Sequence, residues 1–351
     1  MAALELHMEL LSIATRLPRR IVTNDEVLER IRAHSTNCDR LPDVLRAVSF
    51  GLKKSGSQER RWLSPGESAF DLTMEACHEA LCEARLRPGD IDWLIYASVY
   101  KEMREPSSAA RYAYALGANG ARAFDLTQAC AGWLDAAEIV HSLFAAKKAK
   151  RIMVITSEFP MTEGFGIYPN DYEVQSFDQL EHRLPGFTVG EAAAVTIFEA
   201  SENQWNFLVE SDNSFMHLCN IPEPWWQRYD GDPDELGADG PSTFTSFASR
   251  LSTRGFELAI PLFRQSGIVP ENVAILFTHC SSKSDWQKGA EIIGLCNKHY
   301  DIYQQTGNVV SAGIPVAMHL ALAEKKLQRG DKVCIWSVTA GMAAYVVDFT
   351  Y

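Results

Sequence analysis

The stretch Ala123-Phe-Asp-Leu-Thr-Gln-Ala-Cys130-Ala-Gly-Trp-Leu-Asp-Ala-Ala carries a strand pattern into a helical one. Phe124 to Thr127 has β character, and Leu134, Ala137, Ile139, Val140, Leu143 and Phe144 then recur at helical spacing. Cys130 therefore stands at a strand-to-helix junction. There the first free N–H groups of the helix and the positive end of its dipole favour a thiolate. Small neighbours (Ala129, Ala131 and Gly132) leave the sulfur approachable. The plain alternative is a structural cysteine, since a free thiol usually behaves as a small buried hydrophobe.

Working outward, strand and helix patterns alternate along the chain. Residues 8–15 read as a strand, and a helix follows over 25–33 after the turn and cap chemistry of Thr23-Asn24. Residues 34–66 read as polar, basic and irregular, with Lys53-Lys54-Ser55-Gly56 and Glu59-Arg60-Arg61-Trp62; their cations are solvated or meet a phosphate. A long amphipathic helix spans 68–84, strands cover 91–98 and 151–156, and a shorter helix lies at 109–116. Pro185 to Phe198 reads as a turn and a buried strand. Residues 212–255, rich in Pro, Gly, Trp and acids, read as a long functional loop in which Trp225 and Trp226 either cap a pocket or pack ordinarily.

The second half repeats the first. Pro270-Glu-Asn-Val-Ala-Ile-Leu-Phe-Thr-His-Cys280 has the shape of Pro88-Gly-Asp-Ile-Asp-Trp-Leu-Ile-Tyr-Ala-Ser98, an offset of 182 (270 − 88). Ser311-Ala-Gly-Ile, a helix, then Lys332-Val-Cys-Ile-Trp-Ser337 has the shape of Cys130-Ala-Gly-Trp, a helix, then Arg151-Ile-Met-Val-Ile-Thr156, an offset of 181 (311 − 130). Two blocks at nearly one offset indicate a whole-fold duplication. The halves are assigned to residues 1–175, with the nucleophile, and 176–351. Alternating strands and helices imply an α/β layered architecture with right-handed crossovers, its halves related by a pseudo-two-fold axis.

Composition excludes several classes. The 351 residues carry a net charge of −12, which argues against nucleic acid or an anionic membrane as the main partner. Eight scattered cysteines form no CxxC pair, so neither a metal site nor a disulfide framework is expected. No apolar run approaches a membrane span and the start shows no leader pattern, which reads as a soluble, cytoplasmic, reduced protein.

Duplication explains why chemistry meets in the middle, because ligands sit at the carboxyl ends of such strands. Cys130 follows a strand of the first half, His279 ends one of the second, and Asn308 precedes the helix that mirrors the Cys130 helix. A thiol nucleophile needs a base, which His supplies, and an oxyanion or enolate needs the N–H donors that His and Asn provide.

These residues, with Arg20-Ile-Val-Thr-Asn24, Glu59-Arg-Arg61, Gly307-Asn308-Val-Val-Ser-Ala-Gly-Ile-Pro315 and Thr339-Ala-Gly341-Met, resemble the thiolase superfamily, in its β-ketoacyl-ACP synthase III branch. The resemblance covers nearly the whole chain. It implies a thiolase-like α-β-α-β-α fold, an obligate homodimer, and no cofactor beyond the phosphopantetheine that carries the acyl group on acyl carrier protein or coenzyme A. It also implies that Cys130 takes the acyl group, that His279 and Asn308 stabilise the carbanion of a second substrate, and that the N–H groups of Cys130 and Gly341 form the oxyanion hole. Arg61, Trp225 and Trp226 are the expected substrate contacts.

Departures refine this picture. His279 is followed by Cys280-Ser281-Ser282 where the family has Gln-Ala-Asn, and the family's Gly-Asp-Gly-Ala-Gly turn becomes Gly190-Glu191-Ala. The Asp-Glu-Trp segment that stacks on the adenine of coenzyme A is missing from 34–58, which favours a carrier-protein donor. Glu105 stands before Pro106-Ser107, where chain-initiating relatives reach across the dimer with an apolar residue. A glutamate there is similar to the long-chain thiolases that join two acyl chains, and to pyrone-forming ketosynthases, in which it removes an α-proton. The competing reading is a solvated charged loop. Two further functions compete with condensation: acyl transfer to an oxygen or nitrogen nucleophile, and a non-catalytic partner subunit.

Overall fold

A computed structural model describes residues 7–351; the first six, on which the reading of the start partly rests, lie outside the described residues. Ten strands build two sheets. They are β1 (His7–Arg16), β2 (Trp93–Ala97), β3 (Arg122–Leu126), β4 (Arg151–Glu158), β5 (Ala192–Ser201), β6 (Trp205–Ser211), β7 (Ile275–Thr278), β8 (His299–Tyr300), β9 (Lys332–Thr339) and β10 (Ala343–Thr350). The first sheet runs β1-β5-β4-β2-β3 and the second β6-β10-β9-β7-β8. In each, the first three neighbours pair antiparallel and the last three parallel. The two sheets thus share order and direction, and the duplication read from the sequence is a duplication of fold. The division between the halves falls later than residue 175. Ala192–Ser201 pairs with both β1 and β4, so it completes the first sheet, and the second begins at Trp205.

Side-chain alternation along the strands explains the layers, because successive residues face opposite sides of a sheet. On β4, Ile152 and Val154 face a central core while Met153 and Ile155 face an outer one. On β9, Val333 and Ile335 face the central core while Cys334 and Trp336 face another outer one. The middle layer is two helices, Gly132–Ala145 and Gly313–Ala323, which bury Trp133, Ala137, Val140 and Phe144, and Ile314, Ala317 and Met318, between the sheets. Helices Ala69–Ala84 and Ser108–Leu116 cover the first sheet, and Ala248–Gln265 and Lys283–Ile292 cover the second. Both faces of each sheet are covered, so its strands read as continuous apolar runs.

Two segments differ from the sequence reading. Residues 34–66 are ordered: Leu41–Ser55 is a helix with Pro42 in its first turn, Gly56 at φ +86° as its cap, and Val44, Val48 and Leu52 buried along one stripe. Glu59–Trp62 pairs antiparallel with Arg20–Thr23. The loop assigned to 212–255 gives way at Ala248 to an 18-residue helix.

The two middle helices start against each other. A Cβ placed on Gly132 would lie 3.0 Å from the Ala97 carbonyl and 3.3 Å from Ser311 Cβ, and one on Gly313 would lie 2.6 Å from Cys280 Sγ. At an unencumbered helical site Gly→Ala gains about 1 kcal/mol, whereas overpacking costs about 1–3 kcal/mol. Gly313→Ala is therefore expected to lower the urea midpoint, and adding Cys280→Ala, which removes the obstructing sulfur, to recover most of it. An unchanged midpoint in the single variant would contradict this packing.

Candidate active site

Cys130 lies in a single 3-10 turn, Ala129–Ala131, between β3 and the helix that starts at Gly132. Ala129 takes φ +42°, and its counterpart Val310 takes φ +49° at the head of the matching turn Val310–Ala312. A β-branched residue rarely accepts the left-handed region, so both turns are held by their surroundings. For the Cys130 turn the holder is β9. Thr339 Oγ1 accepts from the Ala131 N–H at 3.2 Å and donates to the Gln128 carbonyl at 3.2 Å. The second half thus fixes the Cys130 turn of the first.

His279 directly follows β7 and is buried. Asn308 is pinned on three sides. Its N–H donates to the Thr188 carbonyl, its carbonyl accepts from Gly190 N–H, and its Oδ1 accepts from Val310 N–H, each at 2.9 Å. With Oδ1 committed to its own turn, the amide NH2 is the group left to donate to a ligand. Gly307 sits at φ +65°, and any Cβ there would run into the Thr188 carbonyl, so the Gly-Asn pair is a steric requirement.

One cavity of about 680 Å³ contains Cys130, His279 and Asn308 in its wall. Its apolar lining includes Phe165, Ile167, Leu184, Val189, Ile221 and Phe244, and its polar lining includes Ser249, Ser252, Thr253, Ser281, Ser282 and Ser284. That volume lies in the ordinary range for small-molecule sites, about 300–1,000 Å³. Apolar wall suits an alkyl chain; hydroxyl-rich wall suits a polar amide arm.

Electrostatics differ from the expectation at Cys130. Burial pushes its thiol well above the ordinary value, and charge on Cys219, Cys280 and Glu158 adds to this; its own N–H pulls weakly the other way. The helix begins two residues later, and desolvation is the largest influence on the thiol. Burial pushes His279 down to about 4, so it is neutral near pH 7 and free to accept a proton. Thiol and imidazole thus both rest uncharged in the wall of one cavity.

Other expected contacts lie elsewhere. Arg61 is on the Glu59–Trp62 strand, outside the cavity wall, with its guanidinium 3.4 Å from the Arg19 carbonyl; the cation of the cavity wall is Lys54, from the helix that the sequence reading left irregular. Neighbouring Arg60 is buried on Asn24, Ser57 and the Phe187 carbonyl, a structural role. Trp225 and Trp226 also lie outside the wall. Trp225 is 54% exposed beneath the Arg104 guanidinium at 3.8 Å, and Trp226 packs beside Gly237, so ordinary packing describes them. Gly341, at φ +77°, turns β9 into β10 next to the wall residue Ala340. Glu105 is exposed and outside the cavity of its own chain. The wall also holds Glu158 and Cys219, which the sequence reading missed.

The model for 3-oxoacyl-[acyl-carrier-protein] synthase III, C-terminal part, matches residues 263–349. Beta-ketoacyl-[acyl-carrier-protein] synthase III of Aquifex aeolicus is 25% identical over 331 residues, covering 93% of this chain and 94% of that one. The synthase III of Mycobacteroides abscessus is 26% identical over 352 residues, covering 96% and 94%. Over nearly its whole length this chain is similar to β-ketoacyl-ACP synthases III. The synthase III-like chain shares its fold with Xanthomonas campestris OleA, at TM-score 0.82 and 19% identity over 99% of this chain and all of that one. It also superposes on the Aquifex aeolicus synthase structure at TM-score 0.77 and 23% identity, over 98% and 100%.

Neutral burial of His279 has a signed consequence. Between its unfolded value of 6.5 and about 4, the unfolded chain binds a proton that the folded chain refuses, so stability falls as pH falls through that window. His279→Gln is expected to flatten part of the decline in Tm between pH 6.5 and 4; His299, pushed down to about 4 likewise, keeps its share. Parallel Tm profiles for the two proteins would show that His279 is not held neutral.

Proposed function

We propose that the synthase III-like chain is an acyltransferase. Cys130 takes an acyl group from an acyl-thioester on acyl carrier protein or coenzyme A, and the acyl-enzyme then undergoes Claisen-type condensation with a second thioester in lipid or natural-product assembly. The observation that supports this reading is the convergence of Cys130, His279 and Asn308 on one cavity with both apolar and hydroxyl-rich wall. In the loading step Cys130 Sγ attacks the thioester carbonyl while its proton passes to the neutral imidazole. The tetrahedral oxyanion is received by the N–H groups of Cys130 and Gly341, and the carrier thiol leaves with a proton. In the condensing step the carbanion of the second thioester, its enolate oxygen held by His279 and the Asn308 amide, attacks the acyl carbonyl and expels Cys130. The chemistry needs no metal or redox cofactor.

How the carbanion forms is assigned to Glu105. In its own chain Glu105 is exposed, on a loop anchored by Arg104 over Trp225 and by the Glu102–Arg111 ion pair. The reading therefore requires a homodimer in which the loop enters the partner's acyl tunnel. An apolar tunnel raises a carboxyl toward neutrality and makes it a better base, so an α-proton leaves and no CO2 is lost.

Two experiments test these steps. Cys130→Ala should abolish the acyl adduct seen by intact-protein mass after incubation with acyl-thioesters; an adduct persisting on the alanine variant removes the nucleophile assignment. Loss of one positioned base costs about a hundredfold to ten-thousandfold in rate. Glu105→Gln should load acyl groups normally and lose condensation on that scale with simple thioesters, but not with malonyl-type partners. Equal condensation by variant and wild type returns the enzyme to a decarboxylating or simple acyl-transfer mechanism.

A further inference from the structure

Beside Cys130, His279 and Asn308 the cavity wall holds a buried carboxylate. Glu158 ends β4, is fully buried, and lines the cavity together with Cys130. Its Oε1 accepts from the Val99 N–H at 3.0 Å and lies 2.5 Å from Ser311 Oγ; its Oε2 accepts from the Tyr100 N–H at 3.2 Å. Ser311 Oγ is also 2.9 Å from the Ala97 carbonyl. Ser311 is the residue that the duplication sets opposite Cys130 (311 − 130 = 181). It follows Val310, whose N–H is bound by Asn308 Oδ1. Glu158 therefore grips the Asn308 turn from the other half of the molecule while sharing a cavity with the sulfur.

We propose that Glu158 is a positioning residue with two settings: ionised, it holds the Ser311 hydroxyl and the Asn308 turn while its charge opposes the Cys130 thiolate; neutral, it donates to Ser311 and lets Cys130 ionise. The inference rests on Cys130 as nucleophile. A hydroxyl has one hydrogen, so Ser311 cannot satisfy Glu158 and Ala97 together. When Glu158 is ionised the hydrogen points to it. When Glu158 is neutral its own proton goes to Ser311 Oγ, and the Ser311 hydrogen turns to the Ala97 carbonyl.

Both settings lie within reach near neutral pH. Burial pushes Glu158 up to about 7, against the opposite pull of Ser311 and of the Val99 and Tyr100 amides. The titratable groups that feel its charge are Cys130, from its turn, and Tyr96, from β2, both raised by it. His279, at the end of β7, shares the cavity and is neutral. Once Cys130 is acylated no thiolate can form there, so nothing from the sulfur opposes ionised Glu158. Loading and condensation thus favour opposite settings, neutral before acyl transfer and ionised after it.

The test is the pH dependence of Cys130 alkylation by iodoacetamide, with the adduct located by peptide mass. Glu158→Gln removes the charge and should shift the profile to lower pH. A shift of one unit raises the rate about tenfold below the thiol's titration range. Ser311→Ala, which withdraws a donor from the ionised form, should shift it in the same direction and serves if the Gln variant does not fold. Glu158→Asp, which keeps the charge, should hold the wild-type profile. Profiles unmoved in both Gln and Ala variants, or an Asp variant that moves as far as Gln, would overturn the proposal. Acyl loading of wild-type Cys130 is scored separately by intact mass, so failure of the nucleophile reading is visible apart from failure of the charge coupling.

Discussion

The close approach of two helix starts, at Gly132 and Gly313, is the constraint from which the site follows. Gly132, heading the helix of the first half, faces Ala97 of its own half and Ser311 of the other, and Gly313 faces Cys280 of its own half. A side chain at Gly132 would push the two helix starts apart. Two cross-half bonds complete the clamp, from Thr339 to the Cys130 turn and from Glu158 to Ser311. Thr339 and Glu158 are themselves related by the repeat (339 − 158 = 181), so one device is used twice with different chemistry.

Placing a half-buried thiol in a crevice between two covered sheets has an electrostatic cost. Desolvation raises Cys130 and lowers His279, so both rest uncharged. In the proposed reaction a neutral pair moves its proton only as the carbonyl is attacked, so no free thiolate stands waiting to be oxidised. The helix start favours the thiolate, while the burial that the two-sheet architecture imposes opposes it.

Much of the fold was legible because duplication writes itself twice. The blocks around Pro88 and Pro270, and around Cys130 and Ser311, share one spacing, and the two sheets share one order. Cys130 and His279 were legible because each sits where a strand pattern stops, and Asn308 because it precedes the helix that repeats the Cys130 helix. What was missed has physical reasons. In Leu41–Ser55 the buried stripe of Val44, Val48 and Leu52 is thin and is interrupted by exposed Phe50 and two lysines, so charge outweighed periodicity. Ala192–Ser201 was given to the second half because sequence position cannot show that it returns to pair with β1. Glu158 was passed over because polar residues after an apolar run look like an exit to solvent. At the carboxyl end of these strands the exit leads instead into the interior, where the Val99 and Tyr100 amides and Ser311 receive the carboxyl.

The serine opposite Cys130 shows what duplication left behind. Two equivalent halves offer two equivalent elbows; Cys130 lines the cavity at one, while at the other Val310 lines it and Ser311 is buried against Glu158. The silent elbow has become a bearing on which the working one is mounted. Its freedom to vary is therefore small even though it touches no substrate, and drift at position 311 registers as lost alignment at Asn308, one turn away in the same half. A chain built by copying has traded a second reactive centre for the rigidity of the first.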